Sequence, residues 1–221
     1  MKVLWIYDDI WHPAEVIDRG LLSFPPRFRN YEIDRVCTAK DILTPEMLKE
    51  YPVILCAKGN AINAANSAPW FEEDVTEVMP EDFADYIRNG GGFVSLHASN
   101  TFMKDTCPGM TDLIGCSYVS HPPRCLTKVY PAANTNHPVV SGVEPFEERD
   151  EHYILDYSCD DMDVFLKSSS ESGGERIAGY TRMIGKGRLC SLTPGHTLAL
   201  WQNPNFQTLV MNAIDWCAGL L

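Results

Sequence analysis

Three of the six histidines follow short apolar runs, and their positions predict a centre for acid–base chemistry or metal binding. His97 ends the run at 93–96 directly after three glycines, His196 follows the run at 188–192, and His12 follows the first run of the chain. Imidazole changes its protonation near neutral pH and is a common metal ligand. Because the carboxyl ends of parallel strands meet at one edge of a sheet, we expect the three rings to converge there. The alternative for each is a hydrogen-bonded polar residue near a helix start.

A second group of candidates lies in the segment Asp150-Glu151-His152-Tyr153. In an extended chain, alternation places Glu151 and Tyr153 on one face and His152 on the other. Either the carboxylate and phenol or the imidazole then faces the site. A carboxylate beside an imidazole orients the ring and raises its basicity. The alternative is an exposed acidic edge.

The pattern of apolar residues predicts the elements that position these groups. Strands are predicted at 3–7, 31–37, 53–56, 93–96, 126–130, 164–167, 177–183 and 188–192, and helices from Thr44 onward, at 80–89 and at 205–218. Alternation of strands and helices predicts one α/β domain over residues 1–221, with a doubly wound, mainly parallel sheet and helices on both faces. The turn at 185–187 predicts a late antiparallel hairpin. Residues 59–79 form either an ordered insertion over the crevice or a surface loop held down by its aromatics.

The composition of the chain indicates which classes of partner and which cellular location to expect. Lys and Arg number 18 against 30 Asp and Glu, a net charge of −12, which disfavours nucleic acid and anionic lipid as partners. No apolar run is long enough to span a bilayer or to form a signal peptide, so a cytoplasmic protein is expected. The eight cysteines form no Cys-x-x-Cys pair, so their spacing does not predict zinc binding or disulfides. Whether the chain forms a homo-oligomer stays open.

Several segments together resemble the ThuA-like, or trehalose-utilisation, family of the class I glutamine amidotransferase-like superfamily. They are Gly90–Ala98, His137–Gly142, Asp150–Tyr153, Gly185–Arg188, Gly195-His196, Trp201, Pro204–Phe206 and Ala213–Trp216. The resemblance implies a flavodoxin-like fold and a role in the use of disaccharides or their 3-keto derivatives. The wider superfamily has a nucleophilic cysteine after the strand that ends here in His97. Without a thiolate at that place no glutamyl thioester forms, so amidotransferase activity is not expected.

The resemblance, taken with the residues, suggests a sugar-processing enzyme. His97 is predicted as general base or acid, His196 as its partner and Glu151 as the group that orients one of them. The predicted substrate-binding residues lie beside them: His12, Asn100, Tyr153 and Trp201. A tryptophan at a pocket mouth could stack on a pyranose, or it could be part of a lid packed on the core.

Two alternatives remain open at this stage. A divalent metal such as zinc could be held by His12, His97 and His196, although no helical His-Glu-x-x-His pattern is present, so the sequence assigns no cofactor. A non-catalytic sugar-binding or accessory protein could also use the same scaffold. A carbohydrate is the expected partner in every case.

Overall fold

Thirteen strands and seven α-helices follow one another along residues 1–221 of the computed structural model. The strands are β1 (Lys2–Tyr7), β2 (Glu32–Val36), β3 (Val53–Ala57), β4 (Ala61–Asn63), β5 (Asn66–Pro69), β6 (Gly92–Leu96), β7 (Cys116–Ser120), β8 (Cys125–Pro131), β9 (Phe146–Asp150), β10 (Ile154–Tyr157), β11 (Asp163–Ser170), β12 (Gly174–Ile184) and β13 (Gly187–Leu192). The α-helices are α1 (Ala14–Leu21), α2 (Ala39–Ile42), α3 (Pro45–Leu48), α4 (Pro80–Arg88), α5 (Pro108–Ile114), α6 (Leu198–Gln202) and α7 (Pro204–Cys217).

A nine-stranded sheet forms the centre of this mixed α/β fold. Its strand order is β2-β1-β3-β6-β13-β12-β11-β8-β9. The first five strands pair in parallel, and the pairs from β13 onward are antiparallel. The parallel half brings the carboxyl ends of β1, β3, β6 and β13 to one edge. Two small hairpins, β4–β5 and β7–β10, lie outside this sheet.

Both faces of the sheet are covered, because alternate strand residues enter two separate apolar clusters. Trp5 on β1 packs into a cluster with α1, α6 and α7, whereas its neighbour Leu4 packs with residues of α3, α4 and α5. Burial of this apolar area is the main favourable term in folding. Helices on both sides also restrain the loops that leave the carboxyl edge.

The sequence predicted the main elements closely. Thr44 caps α3 through its Oγ1, which accepts the Met47 backbone N–H, as the Thr-Pro pair indicates. The predicted hairpin at 185–187 joins β12 to β13. The predicted late antiparallel excursion is larger than expected, since it spans four strands. The sequence analysis did not predict α1, α5, β7, β9 or β10, which are short or carry mixed polar patterns.

The segment 59–79 is an ordered insertion that borders a cavity. It contains the β4–β5 hairpin and the fully buried Trp70, whose ring stacks on Phe71 with centroids 4.4 Å apart. Lys58, at the end of β3, is fully buried and anchors the hairpin. Its Nζ donates to the carbonyl oxygens of Ala61 and Ile62 at 2.5 and 2.8 Å and lies over the Trp70 ring.

None of the helices has the length and apolar character needed to cross a lipid bilayer.

A histidine and carboxylate centre at the carboxyl edge of the sheet

Three loops at the carboxyl edge bring His12, His97 and His196 together. Their ring centroids are 4.8 Å apart for His12 and His97, 5.0 Å for His12 and His196, and 5.5 Å for His97 and His196. The loops follow β1, β6 and β13, three strands of the parallel half. In the structure the three imidazoles therefore converge at this edge, as the sequence analysis expected. Glu151 joins them, so that one ligand atom from each of the four residues lies within 4.8 Å of the others.

His97 has a backbone conformation that is unusual for a residue with a side chain. Its φ is +42°, and it begins a 3₁₀ turn that ends at Asn100. Left-handed backbone at a non-glycine residue is strained and is often found at functional sites. The sharp turn directs the imidazole across the end of β6 towards the other two rings, while the side chain stays almost fully buried.

The hydrogen bonds of His97 fix its tautomer. Nδ1 lies 2.7 Å from the carbonyl oxygen of Thr193, which has no hydrogen, so Nδ1–H is the donor. Nε2 therefore carries a lone pair, and the Tyr153 hydroxyl, 2.9 Å away, donates to it. Burial, together with the positive charge available on His12 and His196, lowers the pKa of His97 well below 6.5. His97 is neutral at pH 7 and presents an electron pair to the centre.

His12 is in the opposite electrostatic state because it is paired with Asp9. Its Nδ1 donates to the buried Asp9 carboxylate, with Nδ1 2.8 and 3.0 Å from the two oxygens. Burial favours the neutral imidazole, but the hydrogen bonds and charges of Asp9 and Glu151 outweigh it and raise the pKa of His12 to about 9. Asp9 also accepts the backbone N–H groups of Gly59, at 2.6 Å, and Trp11, at 2.9 Å. The pair directs Nε2 of His12 into the centre.

Glu151 is the carboxylate that the imidazoles share. Its Oε2 lies 3.2 Å from Nδ1 of His196, 3.7 Å from Nε2 of His97 and 3.9 Å from Nε2 of His12. Its other oxygen, Oε1, is 3.5 Å from Nε of Arg124. Burial favours the neutral acid, but the hydrogen bonds of His12 and His196 outweigh it, so the pKa of Glu151 is lowered and the group is ionised at pH 7.

Asp150, the last residue of β9, positions the loop that carries His196. Its buried carboxylate accepts the backbone N–H of Gly195 at 3.0 Å and that of His196 at 2.9 Å. Burial raises the pKa of Asp150 to about 6, against the lowering effect of these two hydrogen bonds. Asp150 therefore fixes the backbone of the loop rather than facing the centre with its neighbour Glu151.

The predicted alternation at 151–153 holds although these residues lie between β9 and β10. Glu151 and Tyr153 face the centre. His152 points away, and its two ring nitrogens lie 2.7 and 2.9 Å from the hydroxyl oxygens of Ser170 and Ser168. The carboxylate and phenol, not this imidazole, are the pair that reaches the site. Tyr153 is buried, and burial and the nearby Glu151 raise its pKa well above 10, so it keeps its hydroxyl proton.

A cavity of about 580 Å³ connects the centre to solvent. His12, Glu151, Tyr153 and His196 are part of its wall, and the insertion contributes 59–61 and Ser67. The rim contains Trp11, which is 75% exposed, and Met103, which is 42% exposed. This volume is in the range of small-molecule sites.

Asn100 was predicted to bind substrate, but the structure places its side chain beneath the site. Its side chain is 1% exposed, and its Oδ1 accepts the hydroxyls of Ser95 at 2.9 Å and Ser191 at 2.8 Å. Its Nδ2 donates to the carbonyl oxygen of Leu192 at 3.0 Å. Asn100 therefore joins β6 to β13 beneath the site. Asn100 lies four residues beyond the end of a predicted strand, and nothing in the sequence distinguished this position from one that faces the cavity.

Trp201 is the second correction. It is fully buried against Trp5, and its Nε1–H donates to the carbonyl oxygen of Gly195 at 2.7 Å. The sequence allowed two interpretations of this tryptophan, stacking on a sugar at the pocket mouth or packing on the core. The structure shows packing on the core. Through this hydrogen bond Trp201 supports the loop that carries His196.

Three residues at the site were missed from the sequence. Asp9 pairs with His12, Trp11 lies at the rim, and Nε2 of His121 lies 3.7 Å from Oε2 of Glu151. The segment Asp9–His12 carried a usable signal, since a carboxylate three residues before a histidine can hydrogen-bond its ring. His121 carried none, because its loop follows β7, which was not predicted.

A model of the ThuA family, described as trehalose utilisation, matches residues 6–217. The chain belongs to the ThuA family. Membership implies a role in trehalose utilisation. The sequence has no significant match among curated proteins.

Solved structures with the same fold include other ThuA-like proteins. One from Parabacteroides merdae has a TM-score of 0.76 and 18% identity, over 99% of this chain and 90% of that chain. Another, from Bacteroides uniformis, has a TM-score of 0.73 and 21% identity, over 98% and 91%. A protein from Salmonella typhimurium described as cytoplasmic has a TM-score of 0.68 and 16% identity, over 100% and 98%. At these identities the likeness shows the fold of the ThuA family.

Proposed function

We propose that this chain is an enzyme that processes trehalose, related disaccharides or their 3-keto derivatives at the histidine and carboxylate centre. The observation that carries the proposal is the meeting of His12, His97, His196 and Glu151 from four separate parts of the chain, with His12, His196 and Glu151 in the wall of one solvent-connected cavity. An isolated buried histidine has simpler explanations, but a cluster in which His12 is protonated and His97 is neutral is typical of a catalytic site.

The residues divide into two functional groups. The Asp9–His12 pair moves a proton, since Asp9 holds the ring and Nε2 faces the cavity. His97, His196 and Glu151 contact the reacting oxygen of the sugar, a hydroxyl or the carbonyl of a 3-keto sugar. In the structure the electron pair of the neutral His97 accepts the Tyr153 hydroxyl, and both groups become available to the sugar oxygen when that hydrogen bond opens.

The cavity suits a polar, uncharged ligand. Its inner wall offers imidazole, carboxylate and phenol groups that can exchange hydrogen bonds with sugar hydroxyls, and Trp11 at the rim offers an aromatic face to a pyranose ring. None of the eight cysteines lines it, which supports a reaction other than thioester chemistry.

The strand order supports a finer assignment of the fold. Counted along the parallel half alone, the order is 2-1-3-4-5, the order of flavodoxin-like sheets, with the site beside the reversal between β1 and β3. We therefore propose the flavodoxin-like, amidotransferase-related class. Cytoplasmic location, absence of nucleic acid and membrane partners, and homo-oligomer formation stay predictions.

A non-catalytic sugar-binding protein is the second candidate, and one observation favours it. Nε2 of His97 is already occupied by the Tyr153 hydroxyl at 2.9 Å, and the His97 side chain is 2% exposed. A ligand could then bind at the rim without reaching the imidazole.

The test combines binding with turnover. Trehalose, other disaccharides and their 3-keto forms are screened for a rise in the melting temperature, since a ligand of the folded state stabilises it. Stabilising sugars are then incubated with the protein and followed by NMR. We expect product formation that Glu151→Gln abolishes and that Glu147→Gln, the same change at an exposed position on β9, retains. Binding without turnover supports the second candidate, and no binding of any of these sugars contradicts both.

A further inference from the structure

The atoms that face one another in the centre are electron-pair donors set at the spacing of metal ligands. Nε2 of His97 and Nδ1 of His196 are 3.4 Å apart, and Oε2 of Glu151 lies 3.2 Å from Nδ1 of His196 and 3.7 Å from Nε2 of His97. Ligands at about 2.0–2.1 Å from a tetrahedral zinc ion are about 3.3 Å from each other. The triangle therefore needs only a few tenths of an ångström of adjustment to close on an ion.

We propose that His97, His196 and Glu151 bind a divalent transition-metal ion of the zinc class through Nε2, Nδ1 and Oε2. This proposal rests on the proposed function. It identifies the metal ion as the group that binds the electron pair of His97. Three protein ligands with a remaining open position are the usual arrangement of a catalytic, rather than structural, site.

Hydrogen bonds behind the ligands hold them in the orientation that a metal requires. The Nδ1–H of His97 donates to the Thr193 carbonyl oxygen, which leaves Nε2 as the ligand atom. Such a bond on the far nitrogen is the common support of a metal-bound histidine. Nε of Arg124 lies 3.5 Å from Oε1 of Glu151, the carboxylate oxygen that does not face the rings. Hydrogen bonds or charge therefore hold the far atoms of two ligands, Nδ1 of His97 and Oε1 of Glu151, and their near atoms face the shared point.

The Tyr153 hydroxyl donates to Nε2 of His97 at 2.9 Å, so a metal ion in the triangle would take the place of that hydrogen bond. Nε2 of His97 and Nδ1 of His196 still face each other at 3.4 Å, a contact that the hydrogen bonds of His97 to Thr193 and Tyr153 do not explain. A cation between the two nitrogens would be bound by both lone pairs and by Oε2 of Glu151.

His12 is assigned to the open side of the ion. Its Nε2 is 3.9 Å from Oε2 of Glu151, farther than the other two rings, and its Nδ1 is bonded to Asp9. A sugar oxygen or water bound to the metal from the cavity would lie between the ion and His12. The metal then stabilises negative charge on that oxygen while His12 exchanges the proton.

The test measures binding directly. Tag-free protein is dialysed against a chelator and titrated with Zn²⁺ in competition with a chromophoric chelator. We expect one ion per chain, and at least 100-fold weaker binding in Glu151→Gln and in His196→Asn. His137→Asn makes the same kind of change at a histidine that lies away from the centre and bonds to Thr181, and it should change affinity less than about threefold. Co²⁺ in the native protein should give the strong visible absorption of a four- or five-coordinate site, a readout that needs no variant to fold.

Several results would overturn the proposal. They are failure of native protein to bind Zn²⁺ more tightly than the Glu151→Gln variant, a Co²⁺ spectrum identical to that of the hydrated ion, and an equal loss of affinity in His137→Asn. Metal binding and sugar processing can fail separately. Full turnover by chelator-treated, metal-free protein excludes the metal but leaves the proposed function, whereas tight Zn²⁺ binding without any sugar binding does the reverse.

Discussion

The ring of Tyr153 stacks on the imidazole of His97, with centroids 4.5 Å apart and planes at 17°, and its hydroxyl lies 2.9 Å from Nε2 of that imidazole. The same hydroxyl is 3.3 Å from Nε2 of His12. One proton donor is therefore placed between two imidazoles with different protonation states. The phenol comes from the segment between β9 and β10, and its hydroxyl contacts both rings.

Tyr153→Phe tests whether this hydroxyl takes part in the reaction. The ring packing is kept, but the donor to His97 is lost, so we expect kcat to fall by about 10²-fold. The buried Nε2 loses its partner, which should cost about 1–2 kcal/mol of stability. Steady-state kinetics and chemical denaturation measure the two effects. Tyr130→Phe, which removes an exposed hydroxyl bonded to Glu175, is the control and should change neither.

Asp9 and His12 should act as one unit. Asp9→Asn removes the carboxylate that orients the ring and holds its proton, so kcat is expected to fall by about 10²- to 10⁴-fold. His12→Asn should have a similar effect, and the double variant should be little worse than either single one. Additive losses would show that the two residues contribute independently. Asp18→Asn, at a partly exposed carboxylate bonded to Tyr7 and Arg35, controls for the change in charge.

Lys58 gives a prediction for the pH dependence of stability. Burial lowers its pKa to about 8 from 10.5, although nearby acidic groups oppose the shift. Below pH 8 both the folded and the unfolded chain hold the proton. Between about 8 and 10.5 the unfolded chain holds more protons, so this group makes the free energy of unfolding rise with pH, by roughly 1–3 kcal/mol.

The measurement is the difference in unfolding free energy between native protein and Lys58→Met from pH 7 to 10.5. Taking the difference removes the contribution of tyrosines and cysteines, which titrate in the same range. We expect native protein to gain stability relative to the variant as pH rises. Lys49→Met, at an exposed lysine, should show no such trend. A difference that is constant with pH would mean that the buried amine does not titrate there.

The central strands β1, β3 and β6 were predictable because they are short, mostly apolar runs that end in polar residues. The position of His97 followed from that pattern together with the glycines before it. The same reasoning brought His12 and His196 to the edge, since the direction of parallel strands fixes where their ends lie. Burial on both faces made these the strongest signals in the chain.

The parts that could not be predicted depend on contacts between distant segments. Asn100 and Trp201 lie close in sequence to His97 and His196, and nothing local shows that one is bonded under the site and the other packed on Trp5. His121 reaches Glu151 only because β7 pairs with β10. Strand pairing of this kind is decided by packing, not by the pattern of a single strand.

Asn100→Ala should damage stability rather than substrate binding. The change leaves the buried hydroxyls of Ser95 and Ser191 without their acceptor, at a cost of about 1–3 kcal/mol for each unsatisfied group. We expect a total loss of about 2–4 kcal/mol in chemical denaturation, with KM unchanged at a temperature where the variant is folded. Ser191→Ala should lose less, because the acceptor keeps its other donor. A raised KM with native stability would return Asn100 to the substrate-binding set.

Trp11→Ala tests where the sugar stacks. The indole is 75% exposed at the cavity rim, whereas Trp201, which the sequence suggested for this role, is fully buried. Losing an aromatic face worth about 1.4 kcal/mol corresponds to a tenfold weaker complex. We therefore expect KM to rise about tenfold with kcat unchanged within twofold, and the melting temperature to stay constant.

Trp11→Phe supplies the matched control, since a smaller aromatic face should restore most of the affinity. Trp201→Phe provides the contrast: it removes the Nε1–H that donates to the Gly195 carbonyl and leaves a cavity beside Trp5, so stability should fall by about 2–4 kcal/mol. The Gly195 carbonyl belongs to the loop that carries His196, so losing this hydrogen bond should displace His196. We therefore expect a larger effect on kcat than on KM in that variant. If Trp11→Ala leaves KM unaffected for every sugar that is turned over, the pyranose does not stack on Trp11 and must contact other residues of the cavity wall, such as Tyr118 or His121.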